Sequence, residues 1–263
     1  MLGLILNETE IVNNILEGKE KLPSNSGKII RIIIKDMILK NKNNEEIENI
    51  IINILEHTYG NNFNRAYWKK IIASMIKDLK SKNIKMIDID NIKIYKEELE
   101  IIKSLEDLKT EKIAFTLLVY AKINNIVNKF SDGKINIPIT NILKESLLRC
   151  GNESKILMSI LYKLKYIKQS NTCDNTSLKI NYLNEQGELA FIIDDLRDYQ
   201  PITWYLEYRQ GIKYKKCEKC GKRFEIKGKN NRYCNYCSKK IKKEKTNERH
   251  KEINKKQGSN THG

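Results

Sequence analysis

Residues 111–165 read EKIAFTLLVYAKINNIVNKFSDGKINIPITNILKESLLRCGNESKILMSILYKLK. Glu111–Val127 is apolar around most of a helical turn, which predicts a long buried helix. KINIPIT, residues 134–140, is a short extended piece that Pro138 restricts to a sheet edge. NILKESLL, residues 141–148, predicts a short helix capped by Thr140 or Asn141. Asn152 then caps a helix over 153–165, in which Ile156, Leu157, Ile160, Leu161 and Leu164 fall on one apolar face. YIKQS (166–170) and LKINYLN (178–184) form a hairpin across the polar loop NTCDNTS (171–177), and ELAFIIDD (188–195) supplies a third strand. Helix, strand, helix, helix, strand, wing, strand is winged-helix order, predicted over residues 110–200. In such a fold the third helix enters the major groove, so Ser154, Lys155, Ser159 and Lys163 are the candidate contacts, with Lys165 and Lys168 beside the wing. A solvated helix or a protein-interaction module would present the same thin basic face.

The residues before this block predict a helical domain over 1–95. Apolar residues recur at helical spacing over 29–39, 47–55 and 66–79, separated by NKNNEE, whose asparagines suit a turn and helix cap, and by the turn-like YGNNFN. IKMIDIDNIKI, residues 84–94, alternates apolar with polar and predicts a hairpin turning at Asp90–Asn91. Three helices and a hairpin fit either a second winged helix or a plain bundle. KEELEIIKSLEDLK predicts a connecting helix within 96–109, and PITWYLEYRQG opens an aromatic linker, 201–212, read as a helix docking the tail onto the core.

Residues 217–237, CEKCGKRFEIKGKNNRYCNYC, carry the strongest chemical signal. Cys217, Cys220, Cys234 and Cys237 form two C-x2-C pairs, the spacing with which tight turns present four thiolates to one tetrahedral ion. A structural Zn²⁺ is the expected cofactor at a single site within a four-cysteine module over 213–240, of treble-clef or zinc-ribbon type. Iron is compatible with the same donors. Gly221 suits the first turn, and KRFEI with the segment around Arg232 and Tyr233 are the expected hairpin arms. The second pair runs into a basic helix whose start is expected between Cys234 and Ser238 and whose basic stretch spans 241–256, and residues 257–263 are expected to be a disordered tail. On this module Arg223, Lys227, Lys229 and Arg232, together with Lys239, Lys240, Lys242, Lys243, Lys245 and Arg249 on the helix, are the candidate phosphate contacts. Glu244, Glu248 and Glu252 fall on one narrow stripe.

Charge is concentrated in the same place. From Arg209 onward there are 19 Lys and Arg against 5 Asp and Glu, whereas the preceding 208 residues hold 30 and 28 of a chain whose net charge is +16. Four thiolates and one Zn²⁺ lower the tail's balance only from +14 to +12. Such a segment points to a polyanion, because cations on phosphates release counterions.

Other functions find little support. There is no Walker loop, dinucleotide fingerprint, zincin helix or nucleophile elbow, and only three histidines. Asp88 with Asp90 and Asp194 with Asp195 are acidic pairs that turns commonly carry, so no catalytic residues and no enzyme activity are expected. Cys150 and Cys173 read as a small buried hydrophobe and a loop thiol. The apolar start MLGLILNETE lacks a basic flank and cleavage site, and no stretch approaches the roughly 18–20 apolar residues of a membrane span. A cytoplasmic location with no membrane partner is expected. The 42 Ile and 30 Asn reflect an AT-rich genome, that of a low-GC bacterium or its phage.

EKIAFTLLVYAK, ILMSILYKLKYI, WYLEY and CEKCGKRFE…NNRYCNYCSKKIKKEKTNER together resemble a group of phage and prophage proteins of low-GC Gram-positive bacteria. The resemblance extends over YGNNFNRAYWKKIIASMIKDLK, MIDIDNIKI and KEELEIIKSL. It implies helical or winged-helix domains followed by cysteine-pair zinc modules, one in this chain, and brings no established activity. The expectation is a bacterial-host, phage-derived nucleic-acid-binding protein in transcriptional regulation or phage DNA replication, with duplex DNA as the favoured partner. The alternative is an adaptor or inhibitor that binds a host nucleic-acid enzyme.

Overall fold

In the computed structural model, residues 6–23, 26–128, 130–169, 177–194, 201–228 and 231–258 are described. Ten α-helices and three small antiparallel sheets are found among them, in two compact units, Met1–Asp90 and Asn91–Gly263.

The first unit is helical. Its helices are α1 (Glu8–Leu16), α2 (Gly27–Leu39), α3 (Asn44–Tyr59) and α4 (Arg65–Lys80), with a short 3-10 turn at Gly60–Asn62. Asparagine sets two of the starts: Asn43 accepts from the amide of Glu46 in a reciprocal capping box, and Asn64 accepts from that of Tyr67. The apolar faces meet in a core of Val12, Ile30, Ile33, Ile34, Ile47, Ile51, Ile52, Leu55, Ile72, Ile76 and Leu79. The expected hairpin over 84–94 does not form. Ile87 and Ile89 instead bond the backbone of Glu8 and Leu6, Asp88 makes an isolated bridge to Asn7, and Ile92–Tyr95 pairs elsewhere. The alternation was a true strand signal with the wrong partner, because period-2 patterning marks an extended chain without naming its neighbour.

The second unit is built on α6 (Leu108–Val127). This helix is buried on nearly every side from Ile113 to Ile123, as an apolar pattern without a polar face requires. Ahead of it come β1 (Ile92–Tyr95) and α5 (Lys96–Lys103). The connecting helix stops at Lys103, short of the expected 109, and after a left-handed Glu106 Asp107 caps α6 by accepting from Thr110. After it come β2 (Lys134–Asn136), α7 (Ile139–Glu145), α8 (Asn152–Lys163), β3 (Ile167–Gln169), β4 (Ser177–Ile180), β5 (Leu189–Ile193) and α9 (Ile202–Gln210). β2, β4 and β3 form one antiparallel sheet in that spatial order, with β2 at its edge as Pro138 demands. The 188–195 segment does not join this sheet, because β5 pairs with β1 from Ile92↔Ile193 to Tyr95↔Leu189. Of the expected wing loop, residues 171–176 lie outside the described residues, and Ser177 begins β4.

Two buried ionic clusters tie elements to α6. Glu98 of α5 and Lys122 of α6, both essentially buried, pair at 2.8 Å. Lys122 also donates to the Asn184 carbonyl, and Glu98 accepts from the amides of Tyr95 and Asn184. At the other end the buried Glu111 accepts from the Tyr205 hydroxyl at 2.7 Å and from Arg209 Nε at 3.0 Å, fastening α9. Tyr205 itself is fully buried and stacks on Phe115 with centroids 4.9 Å apart, so the aromatic segment is a docking helix.

Candidate metal centre and basic helix

The C-terminal module begins with β6 (Tyr214–Lys216) and β7 (Arg223–Glu225), an antiparallel pair whose connecting turn carries the first two cysteines. The hairpin arms therefore differ from the expected ones: β7 pairs with β6, and the segment near Arg232, rather than pairing as a strand, offers its backbone carbonyl to the Glu218 amide. The turn closes where the Gly221 amide donates to the Cys217 carbonyl at 2.8 Å, with Gly221 at φ +73°, a conformation that favours glycine. The second pair sits at the start of α10 (Asn235–Gly258), Cys234 just before it and Cys237 in its first turn. The helix begins within the 234–238 range expected for its start and runs through Gly258, so residues 257 and 258, placed in the tail from sequence, are helical.

All four Sγ atoms lie within 4.8 Å of one another. The Cys220–Cys234 separation of 3.8 Å equals the edge of a tetrahedron with metal–sulfur bonds of about 2.3 Å. Amides point at the sulfurs: Cys234 N donates to Cys217 Sγ at 3.3 Å and Cys237 N to Cys234 Sγ at 3.5 Å. Burial raises the Cys217 thiol pKa, but amides of Cys234, Cys220 and Lys219 outweigh it and bring the value to about 6. Burial and the neighbouring thiols push Cys237 up to about 12, and burial raises Cys220. Four sulfurs this close resist ionising together, and a divalent cation at their centre removes that resistance. Soft thiolates in a closed tetrahedron suit one structural metal ion.

The candidate phosphate contacts separate into groups. Arg223 is not on the surface: its side chain is 8% exposed, its guanidinium lies 3.7 Å from the Trp204 ring centroid, and it is ion-paired with Glu207. It clamps the hairpin to α9, a role that sequence spacing could not show because its partners lie on another element. Arg232 is exposed but held by the Glu218 carboxylate, Nε to Oε2 at 2.8 Å. Lys227 is open to solvent, 4.0 Å from Glu225, and Lys229 lies outside the described residues. Lys239, Lys240, Lys242, Lys243, Lys245 and Arg249 are all exposed along α10, without carboxylate partners among the described residues. Glu244 is occupied by Lys219 at 3.0 Å.

On α8 the picture also differs from expectation. Lys155, Ser159 and Lys163 are exposed, but Ser154 is buried and bonds the Gly151 amide and carbonyl at the helix start. The core face is Leu157, Met158 and Leu161, whereas Ile156 (61% exposed), Ile160 and Leu164 look outward. An apolar set wider than a single stripe left the inward direction open to either reading. Cys150, expected inside, is exposed, and Cys173 lies outside the described residues. Asp88 accepts from the Thr9 amide at 3.0 Å and from its hydroxyl at the start of α1, which is a capping role. Asp195 is not among the described residues. No helix among them is long and apolar enough to cross a membrane.

Replacing Arg223 by alanine is expected to release the hairpin from α9 without removing the metal. A desolvated cation–π contact contributes about 2 kcal/mol, and lysine, lacking the planar guanidinium, restores only part of it. Faster amide exchange in β6 and β7, with metal content unchanged, is the result that checks this.

No known protein family, curated protein or solved structure matches the chain.

Proposed function

We propose that this is a non-catalytic nucleic-acid-binding protein, in which a zinc-stapled module presents α10 to phosphates. The observation that carries the reading is the row of exposed cations on α10 that have no carboxylate partner among the described residues, on a helix whose first turn holds the fourth cysteine. Zinc, when bound, would cross-link four thiolates and supply no open coordination position, so its role is structural. The ion fixes the start of the helix in space, while the long polar remainder gains order from the polyanion it follows. The order α6, β2, α7, α8, β3, β4 and the sheet order β2-β4-β3 support a winged-helix reading of the core. With the resemblance to phage proteins, a role in transcriptional regulation or phage DNA replication on duplex DNA belongs to the same proposal.

A second reading applies to the core. Ile156, Ile160 and Leu164 on the outward face of α8 suit protein contact better than a hydrated major groove, which favours an adaptor role for that helix. The two readings separate in one set of experiments. Nucleic-acid binding predicts retention on heparin, elution by salt and a shift of random-sequence duplex, all lost when Lys239, Lys240, Lys242, Lys243 and Lys245 become glutamine. An adaptor predicts a specific host protein that stays bound after nuclease treatment and is released by Ile156→Asp.

A further inference from the structure

Cations surround α10, but one face of it also carries an aromatic ring. At about 100° per residue, Tyr236, Lys240, Lys243, Asn247 and His250 form one stripe, with Lys239 at its edge. Every one of these residues is exposed, and no acidic residue falls among them. Glu244 follows Lys240 by one turn, about 40° outside the stripe, where Lys219 holds it, and Glu248 lies about 40° further round.

At the head of the stripe stands the aromatic ring. Tyr236 is 75% exposed, although it lies in the first turn of a helix anchored by the cysteine cluster. The other rings of the module are engaged or half-buried: Trp204 and Tyr214 lie against Arg223, and Phe224 lies under Lys215. A tyrosine turned to solvent one helical turn from Lys239 and Lys240, and two from Lys243, combines the two elements that bind unpaired nucleotides. These are a flat face for a base and cations for the adjoining phosphates. A closed duplex has phosphates for the lysines but no free base face for the ring.

We propose that this stripe binds single-stranded nucleic acid, with Tyr236 stacking on an unpaired base while Lys239, Lys240 and Lys243 hold the flanking phosphates. The proposal rests on the nucleic-acid reading of α10 and makes the ligand at that site a single strand, in place of the duplex DNA named for the protein as a whole.

The test uses the full metal-loaded chain and three labelled probes of equal length: an oligothymidylate, the same strand with abasic positions, and a duplex. Tyr236→Ala is expected to weaken oligothymidylate binding by about 5- to 150-fold, the range that base–aromatic stacking commands. It should leave the abasic strand and the duplex unchanged, and Tyr236→Phe, which keeps the face, should retain affinity. Charge removal at Lys239, Lys240 and Lys243 should weaken all three. Equal affinity of Tyr236→Ala and wild type for oligothymidylate would overturn the stacking proposal, while the lysine variant would still report on phosphate binding. Absence of binding by wild type to every probe would overturn both.

Discussion

Removing the metal with a chelator, or replacing Cys237 by serine, is expected to abolish ordered structure over residues 213–240 while the core around α6 stays folded. Within that stretch only Cys217 and Cys237 are buried among the described residues, so the module has almost no apolar core of its own. A unit this small cannot offset its chain entropy by burial, and structural zinc in comparable modules contributes on the order of 10–16 kcal/mol. The effect should extend into α10, whose first turn is fixed by Cys237 and whose remainder is too polar to be held by packing. Amide exchange would show protection lost over 213–240 and retained over 108–127. Persistent protection of β6 and β7 without metal would mean that the Arg223 clamp alone holds the module.

Lys122→Met is expected to destabilise the second unit by about 3–5 kcal/mol, because it strands the fully buried Glu98 without its cation. Methionine keeps the volume and removes the charge, so the loss is not a cavity effect. The site also sets a pH dependence. Burial raises the Glu98 pKa above its ordinary value, and Lys122 with two backbone amides only partly opposes this. Native Glu98 therefore holds its proton more tightly than the unfolded chain does. That contribution is fully present below the ordinary carboxylate pKa and is lost as pH rises through the raised value. Glu98→Gln should flatten this part of the profile, and urea titrations of wild type and variant across that window would show it. A slope unchanged by Glu98→Gln would place its origin elsewhere.

Helices were legible because their signals are local, their caps less so. The uniformly apolar 111–127 run gave a buried helix and Asn43 caps α3, but the caps expected at Thr140 or Asn141 and at Asn152 are not there, because α7 begins after Pro138 and α8 after Gly151. The four cysteines were legible for the same reason, since spacing two residues apart determines which sulfurs meet. Partnering was not. Ile92–Tyr95 and Leu189–Ile193 each read as a strand, yet nothing in either stretch names the other across more than ninety residues. Arg223 failed for a related reason: a basic residue beside a zinc turn looks like a phosphate contact until Trp204 and Glu207 arrive from α9. On α8 the apolar residues outnumber the positions the core can cover, so composition could not say which of them face outward.

Phosphate binding by α10 is tested most directly by the slope of affinity against salt. Fluorescence anisotropy of the full metal-loaded chain with labelled nucleic acid, from low to high salt, should give a log–log slope of several units. Each phosphate contact contributes about 0.9 on duplex and about 0.7 on single strand. Glutamine at Lys239, Lys240, Lys242, Lys243 and Lys245 should lower that slope by several units together with the affinity. A slope near zero, or one that these substitutions leave unchanged, would contradict the account.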